Sequence, residues 1–249
     1  DAELPCVYYI HGGGMQNGSC FGAMYRVWAR VLAAQGVAVA MVDFRNCLTP
    51  SSVPEIEPFP AGLNDCMSGL KWVAANAAEF GYRTDRIAVA GSSAGGHLAA
   101  LMGTSGGVKE LEGTVGGNLD QSSRVDAVID FYGATDFVLR SKTQPHRANK
   151  KGSVVYLLLG GGADQKVELA KQASAAFHVT KDDPPFLVFH GDSDKTVLPD
   201  QSERIRDVYT KAGLSIDLHV LKGSGHGGDE FYTGERRDII RAFLAEHLR

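Results

Sequence analysis

Short apolar runs alternate with amphipathic stretches along the whole chain. The runs that predict strands are Leu4–Ile10, Val37–Phe44, Arg86–Ala90, Ala127–Tyr132, Phe186–His190 and Ile216–Leu221. The stretches that predict helices are Phe21–Gln35, Pro60–Phe80, Ala94–Gly103, Asp164–Ala176, Pro199–Ala212 and Glu235–Leu248. Most of the strands are apolar throughout, which is typical of parallel strands buried on both faces. The pattern predicts the α/β class, as a doubly wound, mostly parallel sheet flanked by helices in a single domain over residues 1–249.

Two stretches interrupt this alternation. Asn46–Pro60 carries four prolines and is predicted to be a loop. Residues 133–163 mix glycines and basic residues with one short apolar run, Val154–Leu159. Because this stretch lies between two predicted sheet strands, we expect residues 133–180 to form a small lid-like insertion within the domain.

A candidate nucleophile lies between a predicted strand and a predicted helix. Gly91-Ser92-Ser93-Ala94-Gly95 fits the pattern G-x-S-x-G, which is weak by itself in a chain with 30 glycines. The buried strand before it and the small-residue helix after it supply the context of a sharp strand-to-helix turn. Such a turn exposes the serine at a helix N-terminus, so Ser93 is the predicted nucleophile and Ser92 is the neighbouring alternative.

A glycine run follows the first predicted strand, in the sequence His11-Gly12-Gly13-Gly14. Acyl transfer requires hydrogen-bond donors aimed at an oxygen that becomes negative in the transition state. Backbone N–H groups of consecutive glycines can approach that oxygen without hindrance from a Cβ. We expect Gly13, Gly14 and Ala94 to donate these bonds and form the oxyanion hole.

An acid and a base follow the last two predicted strands. Asp194 and Asp192 come shortly after Phe186–His190, and His226 stands among glycines after Ile216–Leu221. Because loops after parallel strands share one edge of the sheet, these side chains are expected near Ser93. Asp194 is the favoured acid and Asp192 is expected to order the turn, while His226 is the predicted base.

Composition excludes several other classes of function. The net charge of −4, from 25 basic and 29 acidic residues, provides no general attraction to nucleic acid. No apolar run approaches the length of a membrane span. No metal or organic cofactor is implied, and the sequence leaves a homodimer open. The low density of cysteines favours free thiols and a cytoplasmic location, although a secreted protein would follow if an N-terminal leader had been removed.

The ordered motifs HGGG, GSSAGG, HGDSDKTVLP and GSGHG resemble those of esterases with the α/β-hydrolase fold. The first half is similar to hormone-sensitive-lipase-like carboxylesterases, and the second half is similar to bacterial acetyl-xylan and feruloyl esterases. The resemblance covers nearly the whole chain. It implies a lipase-like serine carboxylesterase with Ser93, Asp194 and His226 as its catalytic triad and Gly12–Gly14 as its oxyanion loop. We predict that it acts on small ester substrates with short acyl groups.

Other interpretations of the sequence stay open. The first alternative is an acetyl-xylan or feruloyl esterase that acts on plant polysaccharide esters. The other two are a prolyl-oligopeptidase-like serine peptidase and a non-catalytic binding protein with the hydrolase fold. Large apolar residues beside predicted strand ends are candidates for the substrate pocket, namely Met15, Phe21, Tyr132, Phe137 and Phe231. A basic cluster (Arg140, Lys142, His146, Arg147, Lys150 and Lys151) either attracts an acidic substrate or simply faces water.

Overall fold

A six-stranded sheet runs through the centre of the structure, a computed structural model that describes residues 4–47 and 58–248. The strands are β1 (Leu4–Ile10), β2 (Ala38–Val42), β3 (Tyr82–Ser92), β4 (Ala127–Phe131), β5 (Phe186–Gly191) and β6 (Ile216–Leu221). Their order across the sheet is β2-β1-β3-β4-β5-β6, and every neighbouring pair is parallel. The predicted parallel α/β architecture is therefore confirmed.

Helices connect the strands on both faces of this sheet. In chain order they are α1 (Ala23–Ala33), α2 (Ala61–Ala75), α3 (Ala77–Phe80), α4 (Ala94–Thr104), α5 (Lys109–Glu112), α6 (Phe137–Thr143), α7 (Pro145–Ala148), α8 (Val154–Leu159), α9 (Val167–Gln172), α10 (Asp200–Ala212) and α11 (Glu235–His247). Short 3-10 turns occupy Ala175–Phe177 and Asp229–Phe231.

The hydrophobic core forms two layers because successive strand residues point to opposite faces. In β1, Tyr8 packs with α2 and α4 on one face, while Tyr9 packs with Trp28 of α1 on the other. Helix α11 joins α1 on that second face, where Phe243 is buried. Both faces of the central strands are therefore covered, which is why those strands are apolar throughout.

Two predicted helices are divided in the structure. The predicted helix Pro60–Phe80 breaks at Asn76, whose side-chain amide donates to the Trp72 carbonyl (2.8 Å) and so ends α2. The predicted helix Asp164–Ala176 is reduced to α9 and a 3-10 turn. There the Ser174 hydroxyl donates to the Ala170 carbonyl and accepts from the Phe137 N–H, which ties the chain to α6. Hydrogen bonds from the side chains of Asn76 and Ser174 thus end these helices, although the apolar periodicity of the sequence continues past them.

The predicted lid-like insertion, residues 133–180, contains α6 to α9 and lies between β4 and β5. Helix α6 is attached to the loop after β5, because Arg140 donates to the Thr196 carbonyl (2.7 Å) and Gln144 donates to the Lys195 carbonyl (3.2 Å). Whether the insertion opens and closes as a lid stays a prediction. Of the predicted loop Asn46–Pro60, residues 48–57 lie outside the described part of the chain.

The strand order reverses at β1, which lies between β2 and β3. The connection after β1 runs to β2 on one side, whereas the connection after the adjacent strand β3 runs to β4 on the other side. This arrangement opens a crevice at the carboxyl ends of the central strands, where ligands bind in open α/β sheets. The loop after β1 carries the glycine run, and the turn after β3 carries Ser93.

The four cysteines are free and buried, and burial raises the pKa of Cys6 to about 12. Among the helices in residues 4–47 and 58–248, none has the length and apolar character required to cross a bilayer.

A buried carboxyl on β4 makes stability depend on pH. Asp130 is fully buried and accepts a bond from the Gly133 N–H (2.8 Å), but burial still raises its pKa to about 6. The folded protein thus binds this proton more tightly than the unfolded chain. Asp130 contributes most stability below about pH 4, and this contribution is lost as pH rises through 6.

We therefore predict that Asp130→Asn removes one component of the pH dependence of stability. Asparagine keeps an oxygen for the Gly133 N–H but does not titrate. On lowering the pH from 7 to 4, wild type should gain about 2 kcal/mol in unfolding free energy relative to the variant. Urea unfolding of both proteins at the two pH values measures this difference. A constant difference would show that Asp130 titrates normally.

Candidate active site

Ser93 occupies a strained turn between β3 and α4. Its backbone has φ 55° and ψ −113°, a conformation that residues with a side chain rarely adopt. The Ser93 N–H donates to the Phe131 carbonyl of the neighbouring strand (2.8 Å), and the Ser93 carbonyl accepts from the His97 N–H (2.9 Å). The turn is therefore held from both sides, as predicted for an exposed nucleophile.

The flanking glycines are required by close backbone packing. A Cβ added to Gly91 would lie 2.2 Å from the Gly95 carbonyl oxygen, and one added to Gly95 would lie 2.1 Å from the Ile10 carbonyl oxygen. No larger residue fits at either position without moving the backbone. The two glycines of the pattern G-x-S-x-G are thus required because α4 crosses closely over the ends of β1 and β3.

Ser93, His226 and Asp194 form a continuous chain of hydrogen bonds. The Ser93 hydroxyl lies 2.8 Å from His226 Nε2, and His226 Nδ1 lies 2.6 Å from Asp194 Oδ2. An ionised carboxylate can only accept, so His226 Nδ1 carries the proton and Nε2 accepts from the serine. The three residues come from loops after three different strands, and the structure brings all of them together.

Asp194 is fully enclosed and accepts several hydrogen bonds. Its Oδ1 accepts from the Thr196 and Val197 N–H groups (2.8 and 3.0 Å), and its Oδ2 faces His226 and His190. Burial raises the pKa of this carboxyl, but the bonds from His190, His226 and the backbone outweigh burial and hold the pKa below its ordinary value. Asp194 is therefore ionised at neutral pH.

His190 contacts the acid from within β5, a role that sequence reasoning missed. Its Nε2 lies 2.9 Å from the Val197 carbonyl and 3.3 Å from Asp194 Oδ2, and its Nδ1 lies 2.6 Å from the Ser202 hydroxyl. Because a carbonyl cannot donate, Nε2 carries the proton and donates toward both oxygens. A histidine four residues before the acid, at the end of a buried strand, is the sequence signal that would have identified it.

The glycine loop after β1 adopts conformations that favour glycine. Gly13 has φ 129° and Gly14 has φ 63°. Neither the Gly13 nor the Gly14 N–H donates a hydrogen bond to the backbone of any described residue. Ala94 is the first residue of α4, where N–H groups lack partners within the helix. Gly14 and Ala94 line the same cavity as Ser93, whereas Gly13 lies outside that lining. That the three N–H groups form an oxyanion hole stays a prediction.

A small cavity of about 50 Å³ opens beside Ser93. Two predicted pocket residues, Met15 and Phe137, line it, together with Val154 and Leu158 of α8. Most of its lining is apolar, and helices of the insertion supply one wall.

Three predicted pocket residues lie outside this lining. Tyr132 packs edge-on against the His226 ring with centroids 4.9 Å apart, and Phe231 packs against Tyr132. Tyr132, directly after β4, thus contacts the His226 ring, and Phe231, in the 3-10 turn Asp229–Phe231, packs against Tyr132. Phe21 is 72% exposed, at the surface before α1. Strand-end position alone did not distinguish rings that line the cavity from rings that pack under the base.

Other residues of the cavity were not assigned to it from the sequence. Arg140 and Arg147 line it, as does His97 of α4. Asp192 has the structural role that the sequence predicts, since its Oδ1 accepts from the Gly223 N–H (2.7 Å). Within the described residues, no group of three or more His, Cys, Asp or Glu side chains is placed to hold a metal ion.

Comparison with known proteins identifies named esterases among the relatives and structural neighbours of this chain. Esterase LipC of Mycobacterium tuberculosis (strain H37Rv) is 33% identical over 247 residues, which cover 96% of this chain. The chain spans 58% of the length of LipC. A truncated carbohydrate esterase from gut microbiota superposes with a TM-score of 0.87 at 26% identity, covering 99% of this chain and 87% of that structure.

A propionate-bound esterase from the planctomycete Thermogutta terrifontis superposes with a TM-score of 0.77 at 26% identity, over 98% of this chain and 84% of that structure. A family model described as BD-FAE matches residues 1–209. The chain therefore belongs to the BD-FAE family and has the α/β-hydrolase fold.

Proposed function

We propose that this protein is a serine carboxylesterase that hydrolyses small esters with short acyl groups. The observation that carries the proposal is the Ser93–His226–Asp194 chain of hydrogen bonds, at 2.8 and 2.6 Å, which opens onto a cavity of about 50 Å³. The named esterases among its relatives support the reaction class.

The acylation step follows from the protonation states of the site. Ser93 Oγ attacks the ester carbonyl carbon while His226 Nε2 accepts the hydroxyl proton. The carbonyl oxygen becomes negative and accepts bonds from the N–H groups of Gly13, Gly14 and Ala94. The ionised Asp194 stabilises the imidazolium of His226. When the tetrahedral intermediate collapses, His226 gives its proton to the leaving alcohol, and the acyl group stays on Ser93.

Deacylation repeats the same steps with water. His226 Nε2 takes a proton from a water molecule, whose oxygen attacks the acyl carbonyl. The second intermediate releases the carboxylic acid, and His226 returns the proton to Ser93 Oγ. His190 keeps Asp194 oriented throughout but exchanges no proton in either step.

The size of the cavity favours short acyl groups. Val154 and Leu158 close it on the side of the insertion, and Val154 lies beside the glycine loop, because a Cβ on Gly14 would be 3.6 Å from its Cγ2. The Thermogutta esterase with propionate in its structure supports this size range.

Acetylated carbohydrate is the second candidate substrate class. The superposition with the gut carbohydrate esterase, at a TM-score of 0.87, favours it. A cavity of this size suits an acetyl group better than a feruloyl group, so the sugar would lie at the mouth of the cavity. Both candidates share the same chemistry and differ in the alcohol.

The first prediction concerns the nucleophile. Ser93→Ala should lower kcat for p-nitrophenyl acetate by at least about three orders of magnitude, because within residues 4–47 and 58–248 no other hydroxyl bonds to His226 Nε2. Labelling by a fluorophosphonate probe, followed by mass spectrometry, should disappear with it. Ser92→Ala is the matched control from the same turn and should keep its label. Labelling of Ser93→Ala at wild-type rate would refute the assignment.

The second prediction concerns acyl length. For p-nitrophenyl esters, kcat/KM should peak at acetate to butyrate and fall for longer chains. Val154→Ala should raise the ratio of hexanoate to acetate several-fold, since it widens the cavity by two methyl groups. Val155→Ala, a buried neighbour on α8 outside the lining, should leave the ratio unchanged. A wild-type optimum at decanoate or longer would contradict the proposed pocket.

The third prediction separates the two candidate alcohols. Acetate release from acetylated xylo-oligosaccharides should exceed ferulate release from feruloylated arabino-oligosaccharides, measured at equal concentration by chromatography. Faster release of ferulate would show that the cavity of about 50 Å³ does not hold the acyl group.

A further inference from the structure

Arg140 is a buried cation that has no carboxylate partner among the residues that the structure describes. Its side chain extends from α6 to the cavity at Ser93, and the residue is only 5% exposed. Its Nε donates to the Gln144 side-chain oxygen (3.2 Å) and its Nη2 donates to the Thr196 carbonyl (2.7 Å). In residues 4–47 and 58–248, it forms no ion pair, and Nη1 donates no hydrogen bond to the protein. Neutral acceptors therefore satisfy only some of the hydrogen-bond donors of this guanidinium.

A second cation lies in the same wall. Arg147 of α7 is half-buried and lines the cavity, and it too forms no ion pair in the described part of the chain. Burial, together with the Arg147 charge, lowers the pKa of Arg140 to about 10. The carboxylates of Asp194 and Asp200 oppose this effect from beyond ion-pair distance. Two like charges thus share one small cavity without direct compensation.

Placing two cations in this cavity lowers the free energy of unfolding of the protein. A buried cation without a counter-ion is strongly unfavourable, and a second cation nearby adds repulsion. Binding of an anion would relieve both costs and add hydrogen bonds to charged donors, which are about twice as strong as neutral ones.

The rest of the basic cluster behaves differently. Lys142, His146, Lys150 and Lys151 are exposed and do not line the cavity. They fit the interpretation of a charged face in water, where salt screens their effect. The two arginines at the cavity are therefore a separate feature, although they come from the same stretch of sequence.

A third polar group in this cavity also lacks a partner. His97 Nδ1 donates to the Ala134 carbonyl (3.0 Å), and burial lowers the pKa of His97 to about 4, so the ring is neutral. Its Nε2 is then an acceptor, and it is buried without a hydrogen-bond partner among the described residues. The two arginines thus supply the charged donors of this cavity, and His97 adds an uncharged ring to its lining.

We propose that the cavity beside Ser93 contains a carboxylate subsite, in which Arg140 and Arg147 bind an acidic group of the substrate ester. The inference rests on the proposed esterase function and specifies its substrate class. The carboxylate has two chemical sources: the acyl part, as in the half-ester of a dicarboxylic acid, or the alcohol part, as in an acetylated uronic acid.

Two matched substrate pairs distinguish these sources. In the first pair, monoethyl succinate is compared with ethyl butyrate in a pH-stat. In the second, an acetylated methyl glucuronoside is compared with the corresponding acetylated glucoside by release of acetate. Wild type should prefer the acidic member of at least one pair by about tenfold in kcat/KM, the value of one charge-assisted hydrogen bond.

Variants test whether the two arginines cause this preference. Arg147→Gln should lower the ratio of acidic to neutral substrate about tenfold, and Arg147→Lys should restore part of it. Lys151→Gln, which removes one exposed charge from the same stretch, should leave the ratio unchanged. Arg140→Gln should act like Arg147→Gln. Because Arg140 also donates a hydrogen bond to the Thr196 carbonyl, the stability of the Arg140→Gln variant is measured by urea unfolding. If that variant does not fold, the Arg147 variants decide the test.

Calorimetry with Ser93→Ala protein tests binding without turnover. Succinate or D-glucuronate should bind, and the added Arg147→Gln should weaken that binding about tenfold. Glucose is the neutral control for glucuronate.

The outcomes separate this inference from the proposed function. If neutral esters are hydrolysed but acids are neither preferred nor bound, the subsite is refuted while the esterase function stands. If no ester is hydrolysed but succinate or glucuronate binding depends on Arg147, the subsite stands and the proposed function fails. An equal loss of preference in Lys151→Gln and Arg147→Gln would show diffuse attraction by the exposed face and would overturn the subsite.

Discussion

The close crossing of three backbone segments at the nucleophile turn determines the geometry of the site. Helix α4 starts so near the ends of β1 and β3 that neither Gly91 nor Gly95 has room for a Cβ. This packing holds Ser93 at φ 55°, a conformation that it would not adopt in a free chain. The cost of that strain is offset by the buried contacts of α4. As a result, the Ser93 hydroxyl is held 2.8 Å from His226 Nε2, so the reaction that we propose would require little reorganisation of these two residues.

The buried carboxylate of Asp194 links the base to the rest of the fold. Its four hydrogen-bonding contacts come from its own loop, from His226 and from His190 in β5. The same loop is attached to the insertion, because Arg140 of α6 and Gln144, the residue after α6, donate to its carbonyl oxygens. The insertion therefore supports the acid as well as forming one wall of the cavity. A change in α6 would therefore alter the lining of the cavity and the orientation of Asp194 together.

Several polar groups near the site are held in unfavourable states. Burial raises the pKa of Asp130 and lowers the pKa values of His97 and Arg140. A core built only for stability would contain apolar residues at such positions. Proteins often accept such costs at functional sites, where the protonation state or the charge has a use. At Arg140 the unfavourable charge lies in the cavity that also contains the nucleophile, which is why its use is most directly explained by a ligand.

The sequence by itself determined the parallel α/β fold, the strand-end positions of Ser93, Asp194 and His226, and the glycine loop after β1. It could do so because strand burial produces continuous apolar runs and because close backbone crossings admit only glycine. Helix ends at Asn76 and Ser174 depended on side-chain hydrogen bonds that periodicity does not reveal. Only the tertiary structure decided the partners of His190 and the lining of the cavity. It also divided the basic cluster into two arginines that line the cavity and four exposed residues. These features depend on which residues from distant segments face one another, and in the irregular stretch 133–163 no simple repeat records that information.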